Sequence, residues 1–216
     1  MERPTVAIRG LYVITDARRR PLAELGRRAD AALAGGARIL QYRDKTRDAQ
    51  RRRREAALLR ECCRRAGAVF IVNDDVELAL AVGADGVHLG RADGSLRRAR
   101  QRLGPGAVIG VSCYDSLLRA ESARADGADY LAFGAVYPST TKPGASRADL
   151  ATLREARRRF RLPLVAIGGI DAENVAPLAA AGVDAVAVVN AVFGAGDPQG
   201  AAEELVLAIE AGPGSG

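Results

Sequence analysis

The segment Gly83-Ala84-Asp85-Gly86-Val87 joins an Ala-rich amphipathic stretch, residues 76–82, to a short apolar run. A glycine in this place is typical of a helix C-cap, where the backbone adopts a positive φ that other residues resist. The apolar run after it is typical of a strand that is buried on both faces. The segment therefore predicts a helix, a tight turn and a parallel strand, in that order.

The same order of features recurs along the chain and marks a repeating unit. Gly35-Gly36-Ala37, Gly127-Ala128-Asp129 and Gly182-Val183-Asp184 each follow an Ala-rich stretch and precede an apolar run. Further apolar runs fill the intervals between these units, at residues 11–15, 68–72, 107–111 and 164–167. Helical patterns alternate with the runs, at residues 22–34, 50–65, 116–125, 150–160 and 174–181.

Eight strands that alternate with helices must pair in parallel through right-handed crossovers. Eight such units in a chain of 216 residues favour a single α/β domain, a closed (β/α)8 TIM barrel. An open doubly wound sheet is the alternative. We expect the domain to cover residues 1–216, with residues 212–216 as a flexible Gly- and Ser-rich tail.

The composition excludes several classes of protein. Hydrophobic residues make up 48% of the chain, which is too many for a disordered or collagen-like protein. No apolar run reaches the roughly 18 residues that a membrane span needs, so we expect no membrane partner. The first residues lack the basic and then apolar layout of a secretory signal, and we therefore expect a cytoplasmic protein.

The formal charge of +6 comes mostly from arginine runs, such as residues 51–54 and 157–159. These runs lie in predicted helices, where successive side chains spread around the axis, so we interpret them as solvated helix faces. Aromatic residues do not alternate with the arginines, which argues against a nucleic-acid partner. The three cysteines have no metal-ligand spacing with the single histidine, so a zinc site is not expected.

Polar residues follow each apolar run, at the strand ends where a parallel barrel carries its active site. Gln41-Tyr42-Arg43-Asp44-Lys45 follows the second strand. Because side chains alternate along extended backbone, Gln41, Arg43 and Lys45 point one way, and Tyr42 and Asp44 point the other way. One amide and two cations at the barrel mouth suit a phosphate or diphosphate. The alternative is a solvent-exposed charged loop.

Carboxylates follow the third and fourth strands. Asn73-Asp74-Asp75 ends the third strand, and Asp93 lies in the loop after the fourth. Asp74 and Asp93, at neighbouring strand ends, suit a shared Mg²⁺, which takes few protein oxygens and keeps phosphate and water ligands. Asp75 precedes a predicted helix, and we interpret it as the N-cap.

Three later loops have the composition of an anion site. Residues 137–144 are rich in hydroxyls and long enough to cover the mouth as a lid, although an ordinary turn would have the same composition. Gly168-Gly169 follows the seventh strand, and Val189-Asn190 follows the eighth. The last two βα loops form the usual phosphate site of such barrels, where glycine lets backbone N–H groups approach the anion.

His88 ends the fourth strand and has two interpretations, a buried structural histidine or a general base. No Ser, Cys or carboxylate lies at a spacing that suggests a nucleophilic triad with it. The chemistry that the sequence supports is therefore charge neutralisation of phosphates, without a covalent enzyme intermediate.

These motifs resemble the thiamine-phosphate synthase (thiamine-phosphate pyrophosphorylase) family. The resemblance extends over almost the whole chain, and the family's (β/α)8 barrel agrees with the strand count. It rests on segments that occur in the family's order: Leu11-Tyr12-Val13-Ile14-Thr15-Asp16, Gln41 to Lys45, Val72-Asn73-Asp74-Asp75, Gly86-Val87-His88-Leu89-Gly90, Gly110-Val111-Ser112, Pro138 to Lys142 and Ala166-Ile167-Gly168-Gly169-Ile170.

The resemblance implies a transferase that couples 4-amino-2-methyl-5-hydroxymethylpyrimidine diphosphate to thiazole phosphate, with release of diphosphate. It implies Mg²⁺ as the cofactor, held by Asp74 and Asp93. The residues that it assigns to the pyrimidine diphosphate are Gln41, Tyr42, Arg43, Asp44, Lys45, Asn73, Ser112 and Lys142. The residues that it assigns to the thiazole phosphate are Ser139, Thr140, Thr141, Gly169, Val189 and Asn190. Catalytic roles are expected for Arg43, Lys45, Ser112 and Lys142.

The implied mechanism is dissociative. Loss of diphosphate leaves a pyrimidine cation that the thiazole nitrogen captures, so the enzyme must stabilise the charge on the leaving group. We therefore expect Lys142→Ala to slow the chemical step more than it weakens binding of the thiazole substrate.

The chain departs from the family pattern at three places. Arg91-Ala92 replaces the usual Gln and acidic or small polar residue before the second metal aspartate, Ser139 replaces a threonine, and Asn190 replaces a serine. None of these changes removes a charge that the chemistry needs.

Three other functions are alternatives to the synthase. A thiazole tautomerase of the same pathway would need a general acid/base and no diphosphate site, and a sugar-phosphate isomerase or epimerase would need paired acid/base groups. A nucleic-acid-binding protein would use the arginine runs. The cations at the strand ends favour the synthase, and a homo-oligomer is compatible with the sequence.

Overall fold

The computed structural model describes residues 7–16, 18–138 and 147–212, and its strands form a closed parallel barrel. The strands are β1 (Gly10–Ile14), β2 (Ile39–Tyr42), β3 (Val69–Asn73), β4 (Gly86–Leu89), β5 (Val108–Tyr114), β6 (Tyr130–Gly134), β7 (Leu164–Ile167) and β8 (Ala185–Val188). The helices are α1 (Leu22–Ala34), α2 (Ala49–Ala66), α3 (Val76–Val82), α4 (Leu96–Leu103), α5 (Leu117–Ala125), α6 (Leu150–Arg159), α7 (Ala176–Ala180) and α8 (Pro198–Glu210).

The barrel closes where β1 pairs in parallel with β8, so the predicted closed barrel is confirmed and the open sheet is wrong. Tyr12 is in register with Ala187 of β8 on one side and with Ile39 of β2 on the other. Successive side chains of each strand alternate between the barrel interior and the ring of helices. In β1, Tyr12 belongs to the inner apolar cluster, and Leu11 and Val13 belong to the outer one.

The predicted glycine turns are present, with one shift of position. Gly83, Gly127 and Gly182 have φ values of 63°, 94° and 83°. In the first repeat the positive φ falls on Gly36, at 98°, whereas Gly35 keeps a φ of −73°. A side chain at Gly35 would collide with α8, because an added Cβ would lie 2.4 Å from the backbone oxygen of Gln199.

The aspartate of the repeating unit has a structural role that the sequence pattern did not show. Asp85, Asp129 and Asp184 each accept a hydrogen bond from the backbone N–H of the preceding strand, at 2.7–2.8 Å from the nitrogen. Each also forms an ion pair with an arginine of an even-numbered helix, namely Arg60, Arg100 and Arg157. These contacts tie helix, turn and strand together at the end of the barrel opposite the strands' carboxyl ends.

We expect Asp129→Ala to lower the free energy of unfolding by about 3 kcal/mol, because it leaves the Ile109 N–H and the mostly buried Arg100 without this carboxylate. Asp126→Ala is the matched control, since Asp126 pairs with Arg97 on the surface, where the two side chains are 42% and 71% exposed. That loss should stay below about 1 kcal/mol. Urea denaturation measures both variants, and equal losses would contradict the assigned role.

Helix α7 is shorter than the predicted helix over residues 174–181. Asn174 is held in a turn, where its side-chain oxygen accepts from the Asp171 N–H at 3.1 Å and its amide donates to the Gly169 carbonyl at 2.9 Å. Pro177 then occupies the first turn of the helix, where a missing N–H is tolerated. The local side-chain hydrogen bonds thus replace one turn of helix.

The arginine runs are only in part the solvated helix faces that we predicted. Arg158 and Arg159 pair with Glu155 on an exposed face of α6, as expected. Arg51 and Arg52 at the start of α2 are instead mostly buried, with side chains 23% and 19% exposed. Their contacts lie next to the candidate site.

Two further expectations concern the chain as a whole. No helix within the described ranges is long and apolar enough to cross a membrane. Gly212, the first residue of the predicted tail, is buried beside Ala179 of α7 instead of lying free, and residues 213–216 are outside the described part of the chain.

Candidate active site

A cavity of 540 Å³ occupies the carboxyl-end mouth of the barrel. Seven of the predicted site residues line it: Gln41, Arg43, Asn73, Ser112, Gly169, Val189 and Asn190. Its walls also include His88, one of whose two predicted interpretations was a general base, and residues that the sequence did not suggest: Tyr12, Ile14, Tyr114, Tyr130, Gly134 and Asp171. The lining of the cavity is mostly apolar, with polar side chains among it.

A second, more open cavity of 450 Å³ adjoins the first, and Asn73 lines both. Lys45, Asp74 and Asp93 line this outer cavity, together with Asp44. The two hollows therefore lie side by side, with cations and carboxylates at the β2 to β4 side and a glycine turn at the β7 side.

The loop after β2 follows the predicted alternation from Gln41 to Arg43 only, because Asp44 and Lys45 both line the outer cavity. Gln41 and Arg43 face the central cavity. Tyr42 lines neither cavity, and its hydroxyl donates to Glu55 of α2 at 2.6 Å. Burial and the Glu55 carboxylate raise the pKa of Tyr42 well above its usual value, so the hydroxyl stays protonated as a donor. Tyr42 thus supports the loop from outside the barrel.

Asp44 contacts protein groups at the edge of the outer cavity. Its carboxylate accepts from the Thr46 N–H at 2.7 Å and pairs with Arg51. Burial opposes ionisation, but the hydrogen bonds from Thr46 and the charge of Arg51 outweigh it and lower the pKa of Asp44. Arg51 also pairs with Glu55 at 3.1 Å, and so it fixes the β2 loop to α2.

Asp74 and Asp93 come together beside Lys45. Lys45 forms an ion pair with Asp74, and Asp93 accepts from the Gly90 N–H at 2.8 Å. Asp74 has a φ of 66°, a conformation that only a few per cent of non-glycine residues adopt and that turns this side chain at the end of β3. Asp75 is the N-cap of α3, as predicted, and accepts from the Leu78 N–H at 2.9 Å.

The two carboxyl groups influence each other's ionisation. Burial and the neighbouring Asp93 raise the pKa of Asp74 above its ordinary value, against the effect of Lys45. The pKa of Asp93 is lowered, because hydrogen bonds from Asp74 and Gly90 outweigh the effect of burial. Two such groups repel each other when both are ionised, and a bound cation would remove this repulsion.

The glycine turn after β7 approaches the loop after β6 very closely. Gly168 and Gly169 have φ values of 107° and 66°. A Cβ at Gly169 would lie 2.3 Å from the carbonyl oxygen of Pro138, so no larger residue fits there without a shift of the backbone. Asn174 holds the Gly169 carbonyl, and the Tyr137 hydroxyl donates to the Asn174 carbonyl at 2.8 Å, which joins the two loops.

Tyr114 forms part of the wall between β4 and β5. The guanidinium groups of Arg91 and Arg119 lie 5.1 and 5.8 Å from the centre of its ring. Arg119 also donates to the Ser112 carbonyl at 2.6 Å. Arg91, one of the departures from the family pattern, therefore stacks on the cavity wall by a cation–π contact.

Four predicted site residues lie outside the described residues: Ser139, Thr140, Thr141 and Lys142. The predicted lid over residues 137–144 falls mostly in the same segment. Their assignment rests on the sequence alone.

A closed parallel barrel with cations, paired carboxylates and a glycine turn around one mouth is typical of the (β/α)8-barrel enzymes, whose active sites lie at the carboxyl ends of the strands. The family model of thiamine monophosphate synthase matches residues 11–192. The thiamine-phosphate synthase of Thioalkalivibrio sulfidiphilus is 54% identical over 94% of this chain and 96% of its own. The thiamine-phosphate synthase of Halorhodospira halophila is 52% identical over 95% of this chain and 97% of its own. The solved structure of thiamine phosphate pyrophosphorylase from Pyrococcus furiosus is 40% identical in sequence and has a TM-score of 0.86. The match covers 95% of this chain and 97% of that one.

The chain therefore belongs to the thiamine monophosphate synthase family. Its activity is the synthesis of thiamine phosphate, and it is a transferase of thiamine biosynthesis. Neither the tautomerase nor the nucleic-acid-binding alternative is favoured by these relatives.

Proposed function

We propose that the two adjoining cavities bind the two substrates of one coupling reaction. The outer cavity takes the diphosphate of 4-amino-2-methyl-5-hydroxymethylpyrimidine diphosphate, and the central cavity takes its ring together with thiazole phosphate. The observation that carries this proposal is that the two cavities meet at Asn73, with Arg43 and Lys45 on one side of the mouth and Gly169 on the other.

The diphosphate end offers two cations, Arg43 and Lys45, at the edge of an outer cavity that is otherwise rich in carboxylates. Arg43 presents a planar guanidinium that can bind two phosphate oxygens at once, and Lys45 adds a point charge. The Asn73 amide, at the junction of the two cavities, can donate to the bridging region of the same group. These three side chains stabilise the negative charge that develops on the leaving group.

The donor set at the outer cavity fits Mg²⁺. Within the described ranges no group of three or more His, Cys, Asp or Glu side chains is placed to hold a metal ion. Two carboxylates are nevertheless what Mg²⁺ commonly takes from a protein when phosphate oxygens and water complete its octahedron. Asp74 and Asp93 would hold the ion, and when bound it neutralises phosphate charge as a Lewis acid. The ion pair with Lys45 would keep the Asp74 carboxylate oriented before the ion binds.

The thiazole phosphate is assigned to the opposite side of the mouth. The turn at Gly168 and Gly169 brings backbone close to the cavity, and Val189 and Asn190 line the same side. Backbone N–H groups at such a turn suit a phosphate. Ser139, Thr140, Thr141 and Lys142 are assigned to the substrates from the sequence resemblance.

The arrangement supports a dissociative substitution. The bond from the benzylic-type carbon to oxygen breaks and its electron pair leaves with diphosphate, while the amino-pyrimidine ring stabilises the cation. The thiazole nitrogen then forms the new carbon–nitrogen bond. The apolar wall of the central cavity excludes water, which would otherwise capture the cation, and the fixed phosphate orients the nitrogen.

We also infer that the enzyme works in a reducing compartment such as the cytoplasm. All three cysteines are buried free thiols, and burial raises the pKa of Cys62 to about 11 and that of Cys113 to about 12. Such thiols need no oxidising environment.

Product analysis tests the proposed reaction. The purified protein is mixed with both phosphorylated heterocycles, with Mg²⁺ or with a chelator, and thiamine phosphate and diphosphate are quantified. We expect the two products in equal amounts, only with Mg²⁺. Conversion of the thiazole phosphate to a tautomer without diphosphate release would show the tautomerase reaction instead and overturn the proposal.

We expect Gly169→Ala to raise the KM for thiazole phosphate at least about tenfold, because the new methyl group must displace the loop at Pro138 from the proposed phosphate site. Gly67→Ala is the matched control. Gly67 has the same φ of 66°, but an added Cβ there would have nothing within 4 Å, and it caps α2 instead of lining the mouth. Steady-state kinetics distinguish the two variants, and an unchanged KM in Gly169→Ala would contradict this assignment.

A further inference from the structure

Five side chains form a continuous row of hydrogen bonds across the inside of the barrel. The Gln41 amide nitrogen lies 2.7 Å from the Tyr12 hydroxyl, which lies 2.9 Å from that of Tyr130. The Tyr130 hydroxyl lies 2.9 Å from Nδ1 of His88, and His88 Nε2 lies 2.8 Å from Oγ of Ser112. The row crosses from β2 to β5 and ends on a residue that lines the central cavity.

The middle of the row is shielded from solvent. Tyr12 and Tyr130 are 1% and 0% exposed, and they pack in the inner apolar cluster of the barrel. The His88 ring stacks on the Tyr130 ring with centroids 5.6 Å apart, which fixes the plane of the imidazole. A buried polar group without a partner is costly, so each hydroxyl must use its one hydrogen within the row.

The number of hydrogens available gives the row a direction. The Gln41 amide nitrogen can only donate, so the Tyr12 oxygen accepts and its own hydrogen goes to Tyr130. The Tyr130 hydroxyl then donates to Nδ1 of His88. A neutral imidazole that accepts at Nδ1 carries its hydrogen on Nε2, which therefore donates to Ser112 Oγ.

We propose that Tyr130 and His88 are positioning residues that keep the hydroxyl hydrogen of Ser112 directed into the cavity, toward the pyrimidine substrate. The effect on catalysis rests on the proposed function, whereas the direction of the hydrogen bonds does not. Were the hydrogen on Nδ1 instead, Ser112 would donate to Nε2 and would present only lone pairs to the substrate. The row thus determines whether Ser112 acts as a donor or as an acceptor.

Kinetics of two matched variants test the catalytic consequence. Tyr130→Phe removes the donor to Nδ1 but keeps the ring, and we expect kcat to fall about 10- to 100-fold with the KM for thiazole phosphate unchanged. Tyr12→Phe leaves Tyr130 able to donate to His88, so its kcat should fall less than about fivefold. Equal losses in the two variants would overturn the proposal.

A double-mutant cycle distinguishes positioning from a general structural role. In the Ser112→Ala background, Tyr130→Phe should cause no further loss of kcat, because its effect passes through the missing hydroxyl. His88→Gln, whose amide group can donate in place of Nε2, should retain more activity than His88→Leu. Additive losses in the cycle, or equal activity of the two His88 variants, would contradict positioning.

Nuclear magnetic resonance tests the row itself without any substrate. The chain has one histidine, so ¹⁵N-histidine labelling reports on His88 alone. Near neutral pH we expect the hydrogen on Nε2 in the unmodified protein, and a shift toward Nδ1–H in Tyr130→Phe. A hydrogen on Nδ1 in the unmodified protein would overturn the inference. Because the spectrum needs no turnover, failure of the coupling reaction would leave this result interpretable.

Discussion

Arg43→Ala is expected to lower kcat for coupling about 100- to 1,000-fold, the largest effect of any single change at the described part of the site. Arg43 lines the central cavity between the buried Gln41 and the outer group of charges. Removal of one preorganised donor that stabilises developing charge typically costs this much. Since that charge grows as the bond to diphosphate breaks, the loss should fall on kcat more than on KM.

Two variants control for this result. Arg47→Ala removes an exposed arginine from the same loop that lines neither cavity, and it should leave kcat within about twofold. Arg43→Lys keeps the charge but not the planar fork, so its activity should lie between the unmodified protein and Arg43→Ala. Steady-state and single-turnover kinetics measure these effects. A rise in KM with unchanged kcat would show that Arg43 contributes only to substrate binding.

Asp93→Asn is expected to raise the Mg²⁺ concentration needed for half-maximal rate more than about 100-fold. Loss of a partner outside the ligand shell already costs about 10- to 100-fold in metal affinity, and a direct ligand should cost more. The substitution keeps the size of the side chain and an oxygen that can accept from Gly90. The effect therefore isolates the charge of the carboxylate.

Asp75→Asn is the matched control for the metal site. Asp75 lines the same outer cavity and carries the same charge, but its side chain caps α3 and pairs with Arg52 at 2.9 Å, and asparagine caps a helix about as well and can still accept from Arg52. Its Mg²⁺ dependence should therefore stay unchanged. Titration of the coupling rate with Mg²⁺ measures both variants, and an equal shift in the two would mean that general charge in the cavity, not a ligand, is responsible.

The repeating glycine unit was enough to predict the barrel. Turn glycines and apolar runs mark each helix and strand locally, and eight alternating units must pair in parallel. Helix α3 begins and ends at the predicted residues, since Asp75 caps it and Gly83 ends it. Helix α7 could not be predicted in the same way. Its start depends on Asn174, whose amide binds a carbonyl of the preceding loop instead of continuing a helix.

The rim of the site was predictable and its depth was not. Strand alternation alone placed Gln41 and Arg43 at the central cavity, whereas Lys45, predicted to point the same way, lines the outer cavity beside Asp44. Tyr12 and Tyr130 lie within apolar runs that look like ordinary core, and only the three-dimensional meeting of their hydroxyl groups shows a polar row. A signal was present in β1 nonetheless, because alternation places Tyr12 on the same face as Ile14, inside the barrel.

The roles of Arg51 and Arg52 also needed the fold. In the sequence they belong to a run of four arginines on one helix. In the structure Arg51 pairs with Asp44, and Arg52 pairs with Asp75 at 2.9 Å. Two members of the run thus brace the loops after β2 and β3, because α2 packs beside these loops, whereas helix periodicity alone gives no information about such neighbours.

The central claim is that loops from opposite sides of one barrel mouth hold two phosphate groups in a single site. A crystal structure with Mg²⁺, thiamine phosphate and diphosphate tests it most directly. We predict density for diphosphate and the ion among Arg43, Lys45, Asp74 and Asp93, and density for the thiazole phosphate at the turn of Gly169. Both phosphate groups on the same side of the mouth, or either one bound away from it, would contradict the claim.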